Sequence, residues 1–237
     1  MKDLLIATLV AILSIAYADA SGKQKHLFIL SGQSNMDRLN PETSFTPVVE
    51  KEFGKSNIVV VKDAEGGRSI QKWYKQFSNV AAGINTNKRK QPRNAKPQKD
   101  GELYDRLMAK VYPELKKTKF TTVTFVWMQG ETDTHKGKNH TIYKECLQGL
   151  LKQLSDDLKR DDMNFVIGRL SPLKQGQASW DDIRKAQVEV AESSPRGEWV
   201  DTDDIQRAGV HYVTKGYEEL GKRFAEKAID LIKKNRK

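Results

Sequence analysis

The stretch His26-Leu27-Phe28-Ile29-Leu30-Ser31-Gly32-Gln33-Ser34-Asn35-Met36 runs an apolar, β-prone segment straight into a polar turn. A serine at such a strand-to-helix turn, with a glycine two residues before it, can present its hydroxyl at a sheet edge and set backbone N–H groups beside it. Serine and asparagine are also ordinary helix caps, so spacing alone leaves a capping role equally open. The nucleophile-elbow pattern G-x-S-x-G is absent, because Met36 stands where its second glycine would be.

Outward from this turn, β-rich runs alternate with helical patterns. The apolar spacing predicts strands at His26–Leu30, Asn57–Val61, Thr121–Trp127, Asn164–Arg169 and Glu198–Asp201. Helical periodicity falls at Glu102–Leu115, Asn139–Leu158, Trp180–Ala191 and Tyr217–Lys233. Strands alternating with helices build βαβ units, so the expected fold class is α/β: a three-layer α/β/α sandwich around a parallel, flavodoxin-like sheet of about five strands. In such sheets, sites form at the carboxyl ends of the strands.

Three further polar segments follow apolar runs. Asp63-Ala64-Glu65-Gly66-Gly67-Arg68-Ser69-Ile70 follows the second strand, and its paired glycines allow close backbone approach to a ligand. Trp127-Met128-Gln129-Gly130-Glu131-Thr132-Asp133 ends the third with a neutral amide and two carboxylates; a capped helix start is the plain alternative. Gly209-Val210-His211-Tyr212 lies just before the last helix, from where a histidine can reach back over the sheet edge.

Together GQSNM, the GGRS turn, WMQGETD and GVHY resemble the ordered blocks of SGNH hydrolases, in the branch holding sialate O-acetylesterases and acetylxylan esterases of the carbohydrate esterase family 6 type. The resemblance spans nearly the whole chain after residue 20. It implies a serine esterase with Ser34 as nucleophile, His211 as general base, and an oxyanion hole made by the backbone amides of Ser34 and Gly67 and the side chain of Gln129. Asn35, Arg68 and Asp133, within these blocks, are candidate substrate-binding residues. It also implies removal of acyl, chiefly O-acetyl, groups from a carbohydrate through an acyl-enzyme, with no cofactor and no metal. Family members carry an aspartate three residues before the histidine, whereas this chain has Ala208 there. Glu131 is the preferred substitute acid; Asp203, Asp204 or a backbone carbonyl are the alternatives. The competing reading is a glycan-binding pseudoenzyme whose triad acid was lost at Ala208.

Composition narrows the setting. Residues 1–20, MKDLLIATLVAILSIAYADA, carry an early lysine, an apolar run and small residues at 16, 18 and 20, which predicts a cleaved signal peptide and a secreted or periplasmic protein. The remaining roughly 217 to 219 residues fit one domain, residues 21–237. No membrane insertion is expected after cleavage, because that apolar run falls short of the roughly 20 residues a span needs and no later segment comes close. Cys146 is the single cysteine, which excludes an intramolecular disulfide. It lies on the stripe Ile142, Cys146, Leu150, Leu154, Leu158 and reads as a buried structural thiol.

The net charge of +10 is concentrated in the run at 87–99, within an expected basic surface loop at 82–101. An anionic glycan is a possible partner for it; nucleic acid is not expected, since the run lacks aromatic residues for base stacking. Of the other histidines, His26 is expected at the surface and His135 is the rival base. Glu131, Asp133 and His135 step by two, which is not a recognised metal-ligand spacing. Asn139-His140-Thr141 forms a glycosylation sequon.

Overall fold

The computed structural model describes residues 24–83 and 99–235. The expected signal peptide and residues 84–98 of the expected basic loop lie outside the described residues.

All five predicted strands form, as β1 (His26–Gly32), β2 (Ile58–Ala64), β3 (Thr122–Met128), β4 (Asn164–Gly168) and β5 (Gly197–Val200). They make one parallel sheet in the order β2-β1-β3-β4-β5. The helices are α1 (Ser34–Arg38), α2 (Thr46–Phe53), α3 (Phe77–Ala82), α4 (Glu102–Lys117), α5 (Asn139–Leu158), α6 (Ala178–Glu192) and α7 (Thr214–Lys234). The α/β/α sandwich is therefore confirmed. The strands alternate faces with a period of two: Leu27, Ile29, Val123, Phe125 and Trp127 pack under the layer of α4, α5 and α6. Phe28, Leu30, Val126, Met128 and Val166 pack on the opposite layer, formed mainly by α1, α2 and α7. Covering both faces is what parallel strands require, and it explains why these segments read as continuous apolar runs.

Cys146 lies in the first of these cores, and burial pushes its thiol up to about 12. His26 departs from expectation. It begins β1 and is buried, with its ring against Phe53 and Nδ1 2.8 Å from the Thr122 hydroxyl, because the neighbouring strand and α2 cover that edge. Among the described residues no helix is long and apolar enough to cross a membrane.

The strand order places the site. The chain steps from β1 to β2 on one side and then to β3 on the other, so the carboxyl ends of β1 and β3 form the switch point where open α/β sheets bind ligands. Register aligns Gly32 with Ala64 and with Met128, bringing the three polar segments that follow β1, β2 and β3 side by side.

Candidate active site

Ser34 opens α1 immediately beyond β1 and is half-buried. As the first helical residue its amide has no carbonyl one turn behind it within the helix, so it is available to an anion. The approach is narrow. Gly32 has φ of +148°, and a Cβ there would sit 2.0 Å from the Met128 carbonyl oxygen. That carbonyl accepts the Gln33 amide at 2.9 Å, so glycine lets β1 run against β3 and turn at once into α1. Below the turn, Trp73 Nε1 donates to Ser31 Oγ at 3.0 Å, and the Trp73 and Trp127 rings meet edge to face with centroids 5.2 Å apart.

The GGRS loop is drawn against Ser34. The Glu65 amide donates to the Gly32 carbonyl at 3.1 Å, and a Cβ on Gly66 would lie 3.4 Å from Ser34 Cβ. Gly67 follows at φ +71°, exposed, in the left-handed region that glycine adopts without strain. Gln129 and Asp133 hold this loop from beneath. Gln129 Nε2 lies 3.0 Å from the Arg68 carbonyl, 2.6 Å from Asp133 Oδ2 and 3.1 Å from Gln33 Oε1. Asp133 also accepts the Ile70 amide at 2.9 Å and Asn139 Nδ2 at 2.7 Å. The sequon asparagine thus commits the nitrogen that a glycan would take.

His211 is carried by a short antiparallel hairpin, β6 (Arg207–Ala208) and β7 (His211–Tyr212), that sequence periodicity did not reveal because each strand is two residues long. Gly209 turns it at φ +67°, and Ala208 pairs directly with His211.

A cavity of about 440 Å³ brings together Ser34, Gly66, Gly67, Glu131 and His211. Burial first, and then the charge of Arg38, lower the His211 imidazole below the ordinary histidine range. It is therefore neutral and able to accept a proton near pH 7. Ser34 and His211 share this wall without a hydrogen bond between them, a spacing common before substrate enters.

Other expected site residues take different places. Gln129 is fully buried and is not among the residues lining the cavity; with two hydrogens facing three acceptors, its amide has no donor left for an oxyanion. Asn35 and Asp133 are likewise buried beneath the cavity rather than on its wall, and Arg68 pairs with Glu65 at 2.6 Å. Glu131 lines the cavity but bonds Asn35 Nδ2, through Oε1 at 2.6 Å, not His211. Burial pushes its carboxyl up against the pull of that bond. The alternative acids are spent on arginines: Asp203 on Arg184 and Arg169, Asp204 on Arg223. Among the described residues the His211 ring has no protein hydrogen-bond partner.

Two groups escaped the sequence reading. Gln33 Oε1 gathers Gln129 Nε2 and the Gly130 and Thr132 amides at 3.1 to 3.4 Å, fixing the turn after β3. Arg38 and Lys174 also line the cavity, beside the expected rival base His135, and none of the three has an acidic partner among the described residues. The motif-centred reading could have found Gln33 inside GQSN, but nothing near Lys174 in sequence marks it.

A family model described as "Carbohydrate esterase, sialic acid-specific acetylesterase" matches residues 37–230. The chain belongs to that family of carbohydrate ester hydrolases. The match starts just after Ser34 and takes in the GGRS, QGETD and GVHY segments. The esterase is similar in fold to a protein of Arabidopsis thaliana, with 19% identity, a TM-score of 0.64 and coverage of 87% of this chain and 98% of that one. It is similar to a carbohydrate acetylesterase from Xanthomonas citri at 17% identity and TM-score 0.62, covering 86% of this chain and 56% of that one. It also resembles NanS at 13% identity and TM-score 0.56, over 91% and 99%. No protein of curated function matches the esterase in sequence.

Proposed function

We propose that this carbohydrate esterase is a secreted serine enzyme that removes O-acetyl groups from an anionic sugar or glycan through an acyl-enzyme. The observation that carries the reading is the meeting of Ser34, Gly67 and His211 on one cavity at the sheet's switch point.

In this mechanism Ser34 Oγ attacks the ester carbonyl while His211 takes its proton. The backbone amides of Ser34 and Gly67 face the developing oxyanion. The tetrahedral intermediate expels the sugar oxygen, which leaves as a hydroxyl with the proton from His211. Water then attacks the acyl-serine, again giving its proton to His211, and acetate departs as Ser34 recovers its hydrogen. Gln129 and Asp133 serve by holding the loop that carries Gly67.

The anionic character rests on Arg38 and Lys174, cationic groups at the cavity without an acidic partner among the described residues, Lys174 lying over the Trp180 ring. Secretion rests on the leader-like composition of residues 1–20.

The test is acetate release from O-acetyl sialic acid, acetylated pectin and acetylated xylan by the chain from Ser21 onward, beside its Ser34→Ala and His211→Ala variants. Each substitution is expected to cost at least about a thousandfold in rate, with the acidic substrates preferred over xylan. No release from any of these or from an aryl acetate would leave glycan binding without turnover as the reading.

A further inference from the structure

We propose that Asn35 is the positioning residue for the catalytic histidine: it ties the backbone before His211 to the helix that begins with Ser34, and so does through the chain what an aspartate at position 208 would do through the imidazole ring. The inference rests on the proposed roles of Ser34 and His211.

The Asn35 side chain is fully used. Nδ2 donates to Glu131 Oε1 at 2.6 Å and to the Val210 carbonyl at 3.0 Å, while Oδ1 accepts the Tyr217 hydroxyl at 3.0 Å. These bonds join α1, the turn after β3, the β6–β7 hairpin and α7 around one amide that is 1% exposed. Asn35 is the residue after Ser34, and Val210 is the residue before His211, so the bond spans the nucleophile and its base with one peptide to spare at each end.

Chemistry favours an asparagine there. The three partners are a carboxylate and a carbonyl, which both need donors, and a hydroxyl, which needs an acceptor. A primary amide supplies two hydrogens and an oxygen at once. Glu131 Oε2 has no partner among the described residues, so the bond from Asn35 is the side-chain contact that anchors this buried carboxyl. Losing it would leave Glu131 uncompensated and release the Val210 carbonyl, the point of the hairpin next to His211. His211 would feel the second loss most, because among the described residues no side chain hydrogen-bonds its ring. Beside that tether the hairpin is held by its two-residue ladder, by the Val213 amide on the Gln206 carbonyl at 3.3 Å and by the buried Tyr212 ring against Tyr217.

The test uses the chain from Ser21 with an aryl acetate, comparing Asn35→Ala, Tyr217→Phe and His211→Ala alone and in pairs, with melting temperatures recorded for each. Asn35→Ala is expected to lower kcat by about a hundredfold with KM changed less than about twofold, the penalty for a base displaced by about an ångström. Tyr217→Phe, which leaves both Nδ2 bonds possible, is expected to lose about three- to tenfold in kcat, in line with one neutral hydrogen bond, and it tests the same tether if the alanine variant does not fold. Each effect should vanish on the His211→Ala background, since Asn35 and Tyr217 act only through that base. A raised KM with unchanged kcat, a melting shift with full kcat in the folded fraction, or undiminished losses on the His211→Ala background would each overturn the proposal. Full activity of His211→Ala itself would instead overturn the assignment of the base on which the proposal stands.

Discussion

Gly32 is the position where one methyl group should do the most damage. Alanine there would place Cβ 2.0 Å from the Met128 oxygen, 2.7 Å from its carbon and 3.0 Å from its nitrogen, all backbone atoms of the adjacent central strand. No side chain can swing aside. The residue must also hold φ +148°, which costs an L-residue about 1–3 kcal/mol. Forcing β1 and β3 apart adds overpacking of about 1–3 kcal/mol, and it stretches the bond from the Gln33 amide to the Met128 carbonyl. Against this, alanine recovers at most about 1 kcal/mol from reduced unfolded-chain entropy. A net loss of about 1–6 kcal/mol is expected, at its upper end a large part of the roughly 5–15 kcal/mol that a domain holds in reserve. Urea unfolding followed by tryptophan fluorescence should report a lower midpoint with an unchanged slope, since Trp73 and Trp127 lie beside this junction. Acetate release per folded molecule should fall too, because Ser34 follows two residues later. A Gly32→Ala variant within about 1 kcal/mol of the parent, with the parent's kcat, would refute the claim that close strand approach sets the nucleophile.

Two further outcomes concern His211. Arg38 disfavours the imidazolium, so Arg38→Gln should raise the His211 pKa and move the acid limb of the kcat/KM profile to higher pH; a limb that stays put, or moves down, would contradict the electrostatic account. Its KM should rise for an acidic sugar ester but not for a neutral aryl acetate. Ala208→Asp would set a carboxyl directly opposite His211, where cross-strand Cβ atoms lie about 4.5–5.5 Å apart. A charge-assisted bond to the ring, worth about 1.5 kcal/mol, predicts roughly a tenfold gain in kcat, together with an acid limb shifted upward, as a neighbouring anion favours the protonated ring. Measured pH–rate profiles of this variant and the parent decide it.

The layers and the blocks were legible in the amino-acid order alone. Periodicity marked all five strands and the four long helices, because β1, β3 and β4 are buried almost throughout, the edge strands β2 and β5 are half-buried but β-rich, and each helix shows one apolar stripe, and these are local patterns. It missed α2, α3 and the hairpin under His211, which are too short for a period to emerge. The GQSN, GGRS and QGETD segments were legible as neighbours-to-be because each begins where an apolar run stops, and GVHY because it stands just before the last helix. Which of their side chains face the cavity was settled by long-range packing. Ser34, Gly67, Glu131 and His211 do, whereas Asn35, Gln129 and Asp133 turn inward, because buried backbone amides and carbonyls from three converging loops need partners and these side chains supply them. Motif letters carry residue chemistry but not direction, and direction was fixed by contacts such as Asn35 with Val210, 175 positions apart in the chain.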